Sequence, residues 1–379
     1  MTTGSDFKAY NEPLKLVLCC DVDPDYPHVP LRDVNTGIIE RAPAWMDRKG
    51  LNGRMASGEK CLSWKGVEKG IPELIRIVEE NGGIKISWFL RSDWMMEKLY
   101  GRWAWLVDEY RDTWLKLAKS GHEIGWHPHF QRYDEHTGSW YQELEDEAWI
   151  RDCMTIGFEN IRKSGFDVRT VKMGWDFHGN FTMNLLNELG LEGDFSANPG
   201  MVSHGFKDKS GKHLINVYDW SHTPEHAYFP SKNDYRIPAK KGETSLKIME
   251  MPISVHSSKR TSSAPTAIAK KLVRSLMNKN FARKVPITLN TNEEIFQKAM
   301  HEKFSRYSEP LNSYIIIDFH PYDLLEPGIL KRIGKNIDTI ERISRRAGIG
   351  CQFLTAGELM DWLRPHVSVR CGPNEVDGD

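Results

Sequence analysis

The chain has 379 residues, of which 40% are hydrophobic and 27% charged, and its formal net charge is −1. This composition is typical of a globular protein and excludes intrinsic disorder, and a charge so close to zero gives no reason to expect nucleic acid as a partner. No apolar run reaches the roughly 18 residues that a membrane span needs, and the opening MTTGSDFKAYNEP contains no apolar stretch, so we expect no secretory signal.

An apolar run over Leu14–Cys20 predicts a buried first strand, which ends at Asp21-Val22-Asp23-Pro24. The chain then repeats one pattern, a helix that ends at glycine and a short strand after it. These units are predicted at Ile71–Glu80 with Ile84–Leu90, Asp108–Lys119 with His122–Trp126, Ala148–Lys163 with Val168–Met173, Phe181–Leu189 with a strand near Asp194-Phe195-Ser196, and Arg332–Arg346 with Cys351–Thr355. Further strands are predicted near Leu246–Ile253 and over Tyr314–Phe319.

The repetition indicates parallel strands joined by right-handed crossovers. It predicts an α/β fold, a distorted (β/α) barrel of seven or eight parallel strands. An open doubly wound sheet is the alternative, but no Gly-rich dinucleotide-binding turn follows the first strand. We expect one domain over residues 1–379, with a long loop over Tyr26–Trp64 that folds over one face, a loop-rich elaboration at about residues 199–312 and a frayed tail at 371–379.

Paired acids follow the first strand. Alternation along a strand points residues i and i+2 to the same side, so Asp21 and Asp23 face one place, and Pro24 keeps Asp23 extended. Two carboxylates in one place repel each other unless a proton or a cation intervenes. A metal ion resolves this conflict if Asp23 binds it and Asp21 stays free as a base. The alternative is a strand-end turn with exposed carboxylates.

Two histidines follow the strand predicted at His122–Trp126. Pro128 favours an extended His127, which points His127 and His129 to the same side. Two imidazoles with a carboxylate are a typical ligand set for a catalytic zinc site that keeps a position open for water. The alternative is a pair of partly exposed loop histidines. We therefore predict one divalent ion on Asp23, His127 and His129, with zinc as the first choice and cobalt, manganese, nickel or iron as alternatives.

Two later strand ends also carry polar residues. After Val168–Met173, Gly174 allows a ligand to approach the backbone closely, Trp175 is a candidate sugar contact, and a backbone N–H near it could donate to an oxyanion. The alternative there is an ordinary turn with a core tryptophan. The strand Tyr314–Phe319 leads to His320, which is a candidate general acid if a metal and a base lie beside it.

These stretches, in this order, resemble the motifs of the polysaccharide deacetylase family, the carbohydrate esterases with nodulation-protein-B homology. The similarity covers roughly Leu14–Phe195 and Tyr314–Leu363. The stretches that resemble the motifs are Asp21-Val22-Asp23, Gly121–Gly125 with His127, Val171–Gly190 with Asp194-Phe195-Ser196, and Phe319–Tyr322. The resemblance implies a metal-dependent hydrolase in which Asp21 is the catalytic base, Asp23 is a metal ligand and His320 is the catalytic acid.

Two positions depart from the family pattern and indicate a divergent member. The second metal-binding histidine of the family usually comes four residues after the first, where Gln131 stands here. The extended geometry described above assigns that role to His129. The third motif usually begins with an arginine that orients the base, and Lys172 stands there. Lysine keeps the positive charge but cannot form the bidentate hydrogen bonds of a guanidinium group. The predicted substrate-binding residues are Lys172, Trp175, Trp126 and Tyr322.

The predicted activity is removal of an N-acyl group, with acetyl as the first choice, from an amino-sugar substrate in glycan biosynthesis. A catalytically inactive glycan-binding protein on the same barrel is one alternative, and a deacylase of a small non-sugar amide is another. The six cysteines form no C-x-x-C pair, which predicts reduced thiols and a cytoplasmic location.

A basic segment extends from Pro252 to Asn292 and contains no acidic residue. Its charge is typical either of a solvated helix face or of a surface that faces anions such as phosphates. With a cytoplasmic location, the second interpretation favours a nucleotide- or lipid-linked sugar as the substrate. The basic residues are Lys259, Arg260, Lys270, Lys271, Arg274, Lys279, Arg283 and Lys284.

Overall fold

The computed structural model describes residues 12–25, 28–32, 39–43, 62–136, 139–207, 213–258 and 283–370. An eight-stranded sheet lies at the centre of the protein, and all the pairings between its strands are parallel. Its strands are β1 (Leu14–Val22), β2 (Ser87–Leu90), β3 (Glu123–Trp126), β4 (Thr170–Val171), β5 (Gly193–Asp194), β6 (Met249–Glu250), β7 (Tyr314–Phe319) and β8 (Cys351–Leu354).

The strand order is β6-β5-β4-β3-β2-β1-β7, and β8 also pairs with β1. From β1 to β6 this order follows the chain, which excludes the doubly wound alternative because such a sheet reverses its order at a switch point. The N–H of Ile253 donates to the carbonyl of Ala197 (2.9 Å), and the N–H of Ser254 donates to that of Ile316 (3.1 Å). These bonds join the β6 side of the sheet to β7, and the predicted distorted (β/α) barrel is confirmed.

The first strand divides one of its edges between two partners. One edge of β1 pairs with β7, from Lys15 opposite Tyr314 onwards. On the other edge, residues 14–17 pair with β8 and residues 19–22 pair with β2. The strand that carries the paired acids is therefore held along its whole length, and its C-terminal end lies between β2 and β7.

Helices connect the strands, and most lie where the sequence predicts them. They are α1 (Ile71–Glu80), α2 (Trp94–Tyr100), α3 (Trp105–Glu109), α4 (Arg111–Lys119), α5 (Glu147–Lys163), α6 (Asn180–Glu188), α7 (Glu293–Ser305), α8 (Ile329–Ala347) and α9 (Ala356–Arg370). The prediction of one helix over Asp108–Lys119 is wrong, because the helix is interrupted at Tyr110, which separates α3 from α4. The sequence analysis missed α2, α7 and α9. No helix of the described residues has the length and apolar character that crossing a bilayer requires.

The glycines predicted to end helices adopt positive φ, for example Gly121 (87°) and Gly348 (66°). This conformation is accessible to glycine at little cost and explains why helices stop at these positions. Among the described cysteines, Cys19, Cys20, Cys153 and Cys351 are free thiols.

Short antiparallel ribbons surround the barrel. They pair His28–Arg32 with Ile39–Pro43, Gln131–Asp134 with Ser139–Gln142, Val202–Lys207 with His213–Asp219, and Val255–Ser258 with Arg283–Pro286. The first ribbon shows that the predicted loop over Tyr26–Trp64 contains paired strands, while its residues 26–27, 33–38 and 44–61 lie outside the described residues. The predicted tail at 371–379 and residues 259–282 of the basic segment also lie outside them.

Strand alternation divides the core into two layers. On β1, Val17 and Cys19 pack with Phe89 and Phe195 in the cluster inside the barrel, whereas Leu16 belongs to the cluster between the sheet and the helices. Leu359, Met360 and Leu363 of α9 belong to the inner cluster. At the C-terminal end of the barrel, in or directly after the strands, the inner row of side chains continues with Asp21, Arg91, His127, Lys172 and Asp318.

Candidate active site

Asp23, His127 and His129 converge at the C-terminal ends of β1 and β3. The carboxylate oxygens of Asp23 lie 3.7 Å from Nε2 of His127 and 3.4 Å from Nε2 of His129, and the two Nε2 atoms lie 3.0 Å apart. All three side chains are buried. In a tetrahedral site with bonds of about 2.1 Å, neighbouring ligand atoms lie about 3.4 Å apart. These three groups therefore fit around one metal ion.

The protonation of the cluster also fits a metal ion. Nδ1 of His127 lies 2.6 Å from the carbonyl oxygen of Lys172. Because a carbonyl only accepts, Nδ1 carries the proton and Nε2 presents its lone pair to the cluster. Burial, followed by the charge of Arg91, lowers the pKa of His129 to about 4. Burial opposes ionisation of Asp23, but His129 and His127 hold its pKa well below the usual value. Neutral imidazoles and an ionised carboxylate are the forms that bind metals.

Gly174 makes room for the ring of His129. A Cβ atom at Gly174 would lie 2.3 Å from Cγ and Cδ2 of that ring. The ring of Trp175 packs edge-on against His129, with centroids 5.1 Å apart. Both Trp175 and Asp176 have a φ of 55°, in the left-handed region that costs energy for residues other than glycine. This strained turn between β4 and α6 holds His129 in place.

Arg91 is a buried cation at the site that the sequence analysis missed. Its guanidinium group donates to Oδ1 of Asp23 (3.2 Å), Oδ2 of Asp93 (2.7 Å) and Oε1 of Gln131 (2.8 Å). Gln131 therefore binds Arg91 instead of joining the His127 cluster. Arg91 follows Phe89 by two residues, so the alternation of β2 was a signal that could have placed it inside the barrel.

Lys172 lies at the centre of a group of carboxylates. Its Nζ contacts Oδ2 of Asp21 and lies 3.4 Å from Oδ2 of Asp318 and 4.0 Å from Oδ1 of Asp176. Oδ1 of Asp21 is buried and has no hydrogen-bond partner among the described residues. One oxygen of Asp21 is therefore held by the lysine, while the other remains available to a ligand.

Burial and mutual repulsion separate the pKa values of these acids. Burial opposes ionisation of Asp21, but the adjacent Lys172 outweighs it and lowers the pKa of Asp21. Burial raises the pKa of Asp318 to about 6 and that of Asp176 to about 7, against the attraction of Lys172. Asp21 is therefore the first of these acids to ionise, as a general base requires.

His320 lies beside Asp21 at the rim of the barrel. Its Nε2 is 3.8 Å from Oδ2 of Asp21, and its Nδ1 is 3.7 Å from Oδ2 of Asp323. Burial lowers its pKa, but Asp323 and Asp318 outweigh burial and raise the pKa of His320 to about 10. Its side chain is 27% exposed and stacks on Tyr322, with centroids 4.7 Å apart. A protonated, accessible imidazole therefore lies next to the ionised Asp21.

The structure corrects two of the predicted substrate contacts. Trp126 is fully buried, donates to the carbonyl of Ser92 (3.0 Å) and packs on Phe158. Its position on β3 points it to the outer layer, opposite to His127, so it belongs to the core. Lys172 is buried and contacts Asp21, so it is placed to hold this carboxylate and not to contact a substrate. Trp175 and Tyr322 are partly exposed beside the site.

No protein-family model matches the sequence, and no curated protein sequence matches it. Solved structures do match. A candidate glycoside hydrolase/deacetylase from Parabacteroides distasonis has a TM-score of 0.53 at 14% identity, over 94% of this chain and 73% of its own. At this identity the likeness shows a shared fold alone, that of a candidate glycoside hydrolase/deacetylase.

Two further deacetylase-fold structures match with lower scores. A candidate polysaccharide deacetylase from Mycobacterium smegmatis has a TM-score of 0.49 at 14% identity, over 98% of this chain and 99% of its own. A CE4-family pseudoenzyme from Bacillus anthracis has a TM-score of 0.38 at 10% identity, over 93% of this chain and 67% of its own. Both scores are below 0.5, so the shared fold is read from the Parabacteroides distasonis structure alone.

Proposed function

We propose that the chain is a divergent polysaccharide deacetylase that removes an N-acyl group, with acetyl as the first choice, from an amino sugar in glycan biosynthesis. The observation that carries this proposal is the buried cluster of Asp23, His127 and His129 directly beside Asp21 and His320. The cluster offers a metal site, and the two flanking residues offer a base and an acid. Amide hydrolysis needs these three functions together.

Asp23, His127 and His129 would hold one divalent ion, with zinc as the first choice and cobalt, manganese, nickel or iron as alternatives. When bound, the ion would polarise the acyl carbonyl and acidify a water molecule. The chain itself fixes the ligands for this role. The carbonyl of Lys172 orients His127, and the turn at Gly174 positions His129.

Asp21 would act as the general base. Lys172 holds Oδ2 of its carboxylate and favours the ionised form, while the unpartnered Oδ1 would take the proton of the attacking water. His320 is protonated at neutral pH and would donate its proton to the departing amine. Trp175 and Tyr322 would contact the sugar, and a backbone N–H at Trp175 would donate to the developing oxyanion.

A cytoplasmic, nucleotide- or lipid-linked sugar is the substrate form that we favour. The support lies at the described end of the basic segment, where Lys284 meets two cations of the following helix and its C-terminus. Lys284, Lys303 and Arg306 all contact the single carboxylate of Glu225, at 2.7, 3.2 and 3.1 Å. Arg306 also pairs with Glu302 (2.7 Å), so three cations against two carboxylates leave a net positive charge, which suits a phosphate-bearing substrate.

Metal content and turnover of the purified protein test the proposal. We expect about one divalent ion per chain and release of acetate from N-acetylated sugar substrates. A chelator should abolish turnover, and zinc should restore it. Asp21→Asn should retain the ion and lose turnover by roughly 100-fold or more. Full activity of the metal-stripped protein, or unchanged activity of Asp21→Asn, would refute the mechanism.

A glycan-binding protein without turnover is the second candidate. Arg91 favours it, because its guanidinium group neutralises Asp23 without a metal ion. Absence of bound metal, with stability unaffected by chelator and with sugar binding retained, would support this candidate. A deacylase of a small non-sugar amide would use the same residues, and release of acid from non-sugar amides in a substrate screen would identify it.

A further inference from the structure

One peptide group links the candidate metal site to the opposite face of the sheet. It joins Lys172 to Met173, directly after β4. Its carbonyl oxygen accepts from Nδ1 of His127 at 2.6 Å. Its N–H donates to Oγ of Ser196 at 2.8 Å, and Oγ of Ser196 donates to Oδ1 of Asp194. An unbroken series of hydrogen bonds therefore runs from a carboxylate to the imidazole.

Every member of this series is shielded from water. Asp194 and Ser196 are 0% exposed, Met173 and His127 are 1% exposed, and Lys172 is 2% exposed. Asp194 and Ser196 alternate with Phe195, whose ring lies inside the barrel, so they face the outer layer. In a site without water, hydrogen bonds are electrostatically stronger and polarise one another.

The carboxylate at the end of the series is charged. Nε2 of His178 lies 2.7 Å from Oδ2 of Asp194. Burial opposes ionisation of Asp194, but His178 outweighs it and lowers the pKa of Asp194. Burial and the charge of Asp194 raise the pKa of the neighbouring Glu250 well above its usual value. Of these two neighbouring acids, Asp194 therefore ionises first.

We propose that Asp194 and Ser196 are positioning residues for His127, which act through the peptide group between Lys172 and Met173. Their hydrogen bonds orient the carbonyl that holds the proton on Nδ1, and they make Nε2 a stronger electron donor toward a metal ion. In metal sites, a carboxylate bound directly to the second ring nitrogen has this effect. Here a serine and a peptide group lie between the carboxylate and the ring. The metal-binding part of this inference rests on the proposed function, whereas the tautomer part does not.

Ser196→Ala tests the inference, and Ser87→Ala is its matched control. Ser87 is also fully buried, donates to the carboxylate of Glu123 (3.0 Å) and accepts the N–H of Ala356 (2.7 Å), but it lies at the N-terminal end of β2. Competition with a chromophoric chelator should show zinc affinity roughly tenfold weaker in Ser196→Ala and changed by less than about twofold in Ser87→Ala. Equal affinities of the two variants would overturn the inference.

A second measurement does not depend on metal. Nitrogen-15 NMR of the metal-free, histidine-labelled protein reports the tautomer of His127, with His127→Gln to identify its signals. We expect the proton on Nδ1 in the native protein and a mixture of tautomers in Ser196→Ala and in the near-isosteric Asp194→Asn. If the native protein binds zinc but its metal-free form carries the His127 proton on Nε2, the inference is overturned and the proposed function stands. A native protein that binds no zinc overturns the proposed function, and the NMR result then still decides the tautomer part.

Discussion

Gly174 lies so close to His129 that its missing side chain defines the position of the imidazole. A Cβ atom at residue 174 would come within 2.3 Å of the ring, well inside the ordinary contact distance of about 3.5–4.0 Å between carbon atoms. The ring cannot remain beside Asp23 if residue 174 carries a side chain. The short turn after β4 therefore controls the geometry of the candidate metal site on β3.

Gly174→Ala should weaken zinc binding by about tenfold or more, because the ring of His129 must move away from the other ligands. The stability of the metal-free protein should fall by only about 1–3 kcal/mol, as in other overpacked sites. Isothermal titration calorimetry and urea unfolding measure the two effects. Gly179→Ala is the control, since no described residue lies within 4 Å of its added Cβ. Native zinc affinity in Gly174→Ala would contradict the assignment of His129 as a ligand.

Lys172→Met should lower the free energy of unfolding by roughly 3–5 kcal/mol, because it leaves Asp21 and Asp318 buried without a counter-charge. Turnover should also fall, since Asp21 would take up a proton. Lys303→Met is the control. The partner of Lys303, Glu225, keeps its contacts with Lys284 and Arg306. The free energy of unfolding should therefore fall much less in Lys303→Met than in Lys172→Met. Equal losses in urea unfolding would show that the carboxylates do not depend on Lys172.

Arg91→Met should make the protein depend on metal for stability. Without Arg91, Asp23 and Asp93 of the metal-free protein are buried charges that have lost this cation. The free energy of unfolding should therefore fall by roughly 3–5 kcal/mol. Zinc replaces part of the missing positive charge, so its addition should raise the melting temperature more in Arg91→Met than in the native protein. Arg169→Met removes the guanidinium group that pairs with Glu192 and serves as the control. A smaller zinc effect in Arg91→Met than in the native protein would be the contrary result.

Loss of the proton from His320 should make both activity and stability decrease at alkaline pH. Its pKa is raised from 6.5 to about 10, so its stabilising contribution is complete below about pH 6.5 and is lost as the pH rises through 10. Turnover should fall over the same alkaline range, because the acid that protonates the amine is lost. His320→Asn should lose most turnover and should flatten the alkaline limb of stability. The exposed His301→Asn should change neither. An unaltered pH–rate profile in His320→Asn would exclude His320 as the acid.

The sequence was sufficient to predict the strands and the residues that meet at their ends. Apolar runs and terminal glycines indicated the helix–strand units, and alternation brought Asp23, His127 and His129 to one place. Alternation also explains why Trp126 lies in the core and how Arg91, for which no prediction was made, could have been found. Trp126 has the opposite direction from His127 on the same strand, and Arg91 continues the inner direction of Phe89.

Contacts between distant elements could not be predicted in the same way. Lys172 was expected to touch a substrate, but its contacts with Asp21 and Asp318 join strands far apart in the chain. The interior position of α9 also depends on tertiary packing. Its residues, such as Met360, fill the barrel beside Gly193, and Pro365 interrupts the local helical signal.

The pairing of β1 has a consequence for biosynthesis. Lys15 lies opposite Tyr314, and Leu14 lies opposite Cys351, so the first strand finds these partners only after residues 314 and 351 have left the ribosome. Until then residues 14–17 have neither of their sheet partners, and only residues 19–22 can pair, with β2. We therefore expect this barrel to close after translation and to depend on chaperones when it is made quickly.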